Sequence, residues 1–123
     1  MQYLTDRKRA QGLGASRTGT KHHWQMLVSS ILMIPTVPLF IFTFGYGLGG
    51  SYDEVLAYFS RPIPAIIMAL SLIVIIQHVM RETHEAIEDY VHGTKAKLAI
   101  VAVTAFSYTM ITAGLFALVK LAL

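Results

Sequence analysis

Cysteine is absent from this chain of 123 residues. Disulfides, thiolate-bound iron–sulfur clusters and thiol catalysis are therefore all excluded from it. Charge is scarce as well: charged residues make up 14% against 54% hydrophobic, and the charges avoid three long segments. A soluble domain does not have that composition, whereas a chain that crosses a bilayer several times does. The spans are too few and too poor in polar groups to enclose a wide pore alone. Zinc-protease chemistry is missing too, because HEAIED lacks the second histidine of H-E-x-x-H, and five histidines fall well short of what a membrane di-iron site would need. The net charge of +3 does not call for nucleic acid, since the basic residues gather beside a hydrophobic span.

What is present reads as an all-α membrane protein with three transmembrane helices and a single anchor domain over 1–123. Residues 1–23 form a polar, glycine-containing tail with Arg7, Lys8, Arg9, Arg17 and Lys21; it has no apolar run of a secretory signal, and Asp6 counts against a transit peptide. The first span covers about 24–48, with Trp24 at the interface. Pro35 and Pro38 inside it are expected to kink the helix. DEVLAYFS predicts a brief interfacial helix before the second span, about 63–80, which starts near Pro62 or Pro64 because proline suits a first helical turn. That helix is expected to run on into polar residues and to stop at Gly93, in a left-handed cap.

The third span covers about 98–121. Its Ala99, Ala102, Ala105, Ala113 and Ala117 permit close helix approach. Ser107, Tyr108, Thr109 and Thr112 are expected to hydrogen-bond to neighbouring helices, and Lys120 to snorkel outward. Eight of the lysines and arginines lie in the tail or between spans two and three, while Arg61 and Lys120 lie on the other side. The positive-inside rule then puts the N-terminus in the cytoplasm.

The chemically dense stretch is QHVMRETHEAIEDYVHG, Gln77 to Gly93. On a helix His78, Glu82, Glu85, Asp89 and His92 share one face. A histidine at membrane depth needs a partner and is a functional-site hypothesis by default. For His78 that partner is either a hydrogen-bonding group on a neighbouring helix or the iron of a haem, shared with a ligand from another chain. His84, Glu88 and His92, spaced four apart, are an alternative metal set on one helix face.

The H-x10-D-Y run from His78 to Asp89 and Tyr90, the IEDYVHG that closes it, the GTKHHW tail and the three-span layout resemble the hydrophobic membrane-anchor D subunits of succinate dehydrogenase, complex II. The resemblance covers nearly the whole chain. It implies a multi-subunit, haem-binding helical bundle in which His78 is one axial ligand of haem b and its iron. The second ligand would come from a partner cytochrome b subunit. It also implies that Tyr90 hydrogen-bonds a carbonyl of ubiquinone, with Asp89 beside it in the quinone site, and that His22 meets a haem propionate. The partners implied are the cytochrome b anchor subunit, the iron–sulfur subunit and the flavoprotein subunit, in a bacterial inner membrane and with no nucleic acid. No residue here would be catalytic alone: the enzyme is the assembled succinate:ubiquinone oxidoreductase, a member of electron transport and the tricarboxylic acid cycle. A cofactor-free three-span assembly protein or transporter subunit is the alternative.

Overall fold

The computed structural model of the chain describes residues 3–12 and 18–123; Arg17, counted above with the basic tail, lies outside them. The described residues form five helices: α1 (Asp6–Gln11), α2 (Gly19–Gly47), α3 (Tyr52–Ser60), α4 (Pro62–Tyr90) and α5 (Thr94–Ala122). Three of them, α2, α4 and α5, are long and apolar enough to cross a membrane. Each has 29 residues, which at ~1.5 Å per residue is about 44 Å, against a hydrocarbon core of ~30 Å. The helices therefore overrun the spans expected from hydropathy. Backbone hydrogen bonding does not stop where the apolar residues stop, so α4 carries Gln77 to Tyr90 out of the apolar zone as unbroken helix.

Helix ends follow local chemistry. Thr5 caps α1 by accepting from the Lys8 N–H. The expected interfacial helix is present as α3, opened by a reciprocal Ser51–Glu54 capping box that satisfies two backbone donors at once. It docks on the end of α2: Phe59 is buried, Tyr58 donates its hydroxyl to the Thr43 carbonyl at 2.8 Å, and Phe59 also faces Phe44 at 6.0 Å between ring centroids. A side chain at Gly47 would run into the rings of Tyr58 and Phe59, so this crossing requires glycine. Pro62 opens α4. Pro35 and Pro38 are carried inside α2 as one helix, where they release the carbonyls of Ile31 and Ile34 from the i to i−4 ladder.

Gly93 does not end α4 as expected. Val91 does so in extended conformation, its N–H bonded to the Ile87 carbonyl at 2.8 Å, and Gly93, at φ +74°, turns the chain into α5. His92 consequently lies beyond the helix and leaves the face assigned to it.

α4 packs against both α2 and α5, whose own backbones stay more than 8 Å apart between Cα atoms, although Phe40 of α2 shares a cavity with Gly114, Ala117 and Leu118 of α5. The three spans are thus a row rather than a closed bundle, and the interior is small. Met26, Phe59 and Ile111 are its buried apolar residues, and Ser29, Ser71 and Ser107 its buried polar ones. Small groups sit at the crossings because lipid offers helices no hydrophobic reason to associate, only packing and hydrogen bonds. Gly114 lies against Leu72 where α5 meets α4. Of the alanines that permit close approach, Ala117 lines a cavity with Gly114, Leu72 and Met68 and Ala99 is half-buried, while Ala102, Ala105 and Ala113 are exposed; small size permits an interface without choosing it. Thr109 and Thr112 likewise return their hydroxyls to the Ala105 and Tyr108 carbonyls of their own helix, as hydroxyls in an apolar helix can do without any neighbour.

Candidate functional site

The polar half of α4 is held on two sides. Toward α2, His78 Nδ1 lies 2.9 Å from Ser29 Oγ, and Glu85 Oε1 lies 2.9 Å from His22 Nε2. Ser29 stands seven residues after His22, and His78 seven before Glu85, so these are two rungs of one antiparallel helix pair, two turns or ~10.5 Å apart. Toward α5, His84 Nε2 lies 2.9 Å from Thr104 Oγ1. Thr104 donates its own hydrogen to the Ile100 carbonyl at 2.7 Å, so its oxygen accepts from the His84 N–H. His84 thereby serves as an α4–α5 brace.

The other nitrogen of His78 is differently placed. Nε2 is 3.7 Å from Glu82 Oε1, beyond hydrogen-bond reach. The His78 side chain is 17% exposed, whereas that of Glu82 is 55% exposed. A ring with one nitrogen engaged and the other unengaged, most of it out of solvent, can present a lone pair to an incoming group. Its partner Ser29 lines a cavity of about 370 Å³ between α2 and α4, of which His78 itself is not a lining residue. Val28, Leu32 and Val74 supply its apolar wall, Trp24 its edge, and Gln25, Gln77 and Arg81 its polar rim, while Ser29 reaches into it. Arg81 forms no ion pair among the described residues.

Asp89 and Tyr90 close α4. Tyr90 is 85% exposed, and neither side chain has a hydrogen-bond or ion-pair partner among the described residues. One continuous helix joins His78 to Tyr90, twelve residues or ~18 Å along its axis. His22, His78 and Glu85 are thus gathered on the α2–α4 seam, with Asp89 and Tyr90 at its open end. The alternative set of His84, Glu88 and His92 is not gathered: no group of three metal-ligating side chains of the His/Cys/Asp/Glu kind forms among the described residues. Ser29, Gln77, Arg81 and Thr104 were not singled out by sequence. Ser29 and Ser30 do stand out as a polar pair inside an apolar run, but nothing local says which of them faces α4.

Residues 1–119 match the family model described as the succinate dehydrogenase/fumarate reductase transmembrane subunit. The chain is 41% identical over 123 residues to a protein of Paracoccus denitrificans called the succinate dehydrogenase hydrophobic membrane anchor subunit, covering 100% of this chain and 95% of that relative. No solved structure matches it.

Proposed function

The chain belongs to the succinate dehydrogenase/fumarate reductase transmembrane subunit family, and from that premise we propose that it is the hydrophobic membrane anchor of a succinate:ubiquinone oxidoreductase, holding one side of a b-type haem and part of a quinone pocket. The observation that carries this reading is His78: Nδ1 is engaged by Ser29 and Nε2 is left without a hydrogen bond, while its partner Ser29 and its chain neighbour Gln77 line the α2–α4 cavity with Arg81. That donor set fits a macrocycle with apolar edges and charged propionates. His78 would give the iron its Nε2 lone pair, and His22 and Arg81, on the same seam, are the candidate hydrogen-bond donors to the propionates. A haem bound there supplies a one-electron store beside the quinone. A companion cytochrome b subunit would supply the other ligand.

At the end of α4, Tyr90 donates its phenolic hydrogen to a quinone carbonyl; a phenol remains a donor throughout the physiological range. Asp89, one residue away, holds or passes a proton as the quinone becomes quinol. Exposure suits these roles, because the remaining walls of the pocket belong to the iron–sulfur and cytochrome b subunits. Succinate oxidation belongs to the flavoprotein subunit. The chain is a multi-pass membrane protein, and its lysine and arginine distribution supports placing the tail and the α4–α5 turn on the cytoplasmic face of a bacterial inner membrane.

A reduced-minus-oxidised spectrum of the purified complex tests the proposal. Wild type should show a b-type signal that His78→Ala abolishes or shifts. An unchanged signal in the variant would refute the ligand assignment, and no signal in wild type would leave the cofactor-free assembly role instead.

A further inference from the structure

We infer that Ser29 is the positioning residue for His78, holding the ring at Nδ1 and accepting its N–H when Nε2 binds the iron, and so tuning that iron. The inference rests on the haem reading above but concerns a residue which that reading does not require.

Two hydroxyls of the spanning helices, Ser29 and Thr104, meet a histidine of a neighbouring helix, and of the two Ser29 has no carbonyl of its own helix as partner. Ser30, Thr36, Thr83, Thr104, Thr109 and Thr112 each donate to the carbonyl four residues earlier in their own helix. That is the default for a hydroxyl in an apolar helix. Ser29, buried at 7% exposure, makes no such bond; its recorded partner is the His78 ring across the helix pair. A neutral imidazole has one N–H and one lone pair. When Nε2 gives its lone pair to a metal, Nδ1 must carry the hydrogen, and a buried N–H needs an acceptor. Ser29 Oγ at 2.9 Å is that acceptor.

The opposite tautomer would put the hydrogen on Nε2, where Glu82 at 3.7 Å is too far to accept it. With no carbonyl of its own helix as partner, the Ser29 hydroxyl donates to Nδ1 in the unloaded chain, and the same contact becomes an Nδ1–H donation to Ser29 once Nε2 takes up iron. Donation from Nδ1–H also pushes electron density into the ring, making it a stronger donor to ferric iron and lowering the haem's midpoint potential. Partners of this kind typically change metal affinity on the order of 10–100-fold when removed.

The test is a potentiometric titration of the haem in the intact purified complex, comparing Ser29→Ala, Ser30→Ala and Ser29→Thr. Ser29→Ala should raise the midpoint potential and loosen haem retention. Ser30→Ala removes a hydroxyl one residue away that bonds only its own helix, and it should leave the potential where it is. Ser29→Thr keeps the hydroxyl and should return the potential toward wild type. The inference is overturned if Ser29→Ala retains haem at an unchanged potential, or if Ser30→Ala moves it equally. It is also overturned if Ser29→Ala loses the haem and Ser29→Thr fails to restore it, since packing rather than the hydroxyl would then be responsible. Failure of the underlying reading is visible separately, as a b-type spectrum that survives His78→Ala.

Discussion

Replacing Tyr90 with phenylalanine removes one oxygen and nothing else, which makes it a sharp probe of the proposed quinone contact. The phenol is 85% exposed at the last residue of α4 and has no hydrogen-bond partner among the described residues, so Tyr90→Phe should alter folding by no more than about 0.5 kcal/mol. A neutral hydrogen bond to a quinone carbonyl contributes ~0.5–1.5 kcal/mol, and one to an oxygen gaining negative charge ~1.5–3 kcal/mol. The carbonyl gains charge as the quinone is reduced, so the second range governs the rate. It corresponds to a fall of roughly 10- to 150-fold in quinone reduction, at ~1.4 kcal/mol per tenfold. Two assays on one preparation separate the site from the rest of the enzyme: succinate to quinone, and succinate to a soluble artificial acceptor. The first should fall by that factor while the second stays near wild type. Equal loss in both, or full quinone activity in the variant, would sink the assignment.

Two further tests address packing and orientation. A methyl group at Gly47 would sit 2.6 Å from Tyr58 Cδ1 and 2.8 Å from Phe59 Cζ, and neither ring can yield without disturbing the Tyr58–Thr43 bond. Gly47→Ala should therefore destabilise the anchor by about 1–3 kcal/mol, measured as a lower thermal midpoint in detergent. Gly45→Ala, with nothing within 4 Å, should not lower it, and equal effects at the two positions would remove the argument. Because the native chain has no cysteine, single-cysteine labelling is clean. An impermeant thiol reagent added to spheroplasts should reach Gly49→Cys and spare His92→Cys; the reverse pattern would invert the proposed topology.

Much of the arrangement along α4 was readable from the amino-acid order, but unevenly. His78, Glu82, Glu85 and Asp89 share a face because helical periodicity alone puts them there, and α4 does run unbroken through them. His92 drops out because the helix ends two residues earlier, through a Val91 cap that carries no strong sequence signal. The histidines show the limit most clearly. His78 and His84 are six residues apart on the same helix, yet one pairs with a serine of α2 and the other with a threonine of α5. Periodicity says that they point different ways. It does not say which neighbour lies in each direction.

The amino-acid order by itself determined that this chain lives in lipid, crosses it three times and carries its titratable groups at one end of the middle span. The solvent imposes those features residue by residue, through the length of apolar run that a bilayer demands and the cost of charge within it. Only the tertiary structure decided that α4 packs between α2 and α5, that Ser29 rather than Ser30 meets His78, and that Gly114 lies against Leu72. Those facts depend on how each helix is rotated about its own axis. That rotation is set by close packing between segments distant in sequence, where a hydroxyl or a missing side chain at one crossing outweighs the general hydrophobicity of the rest.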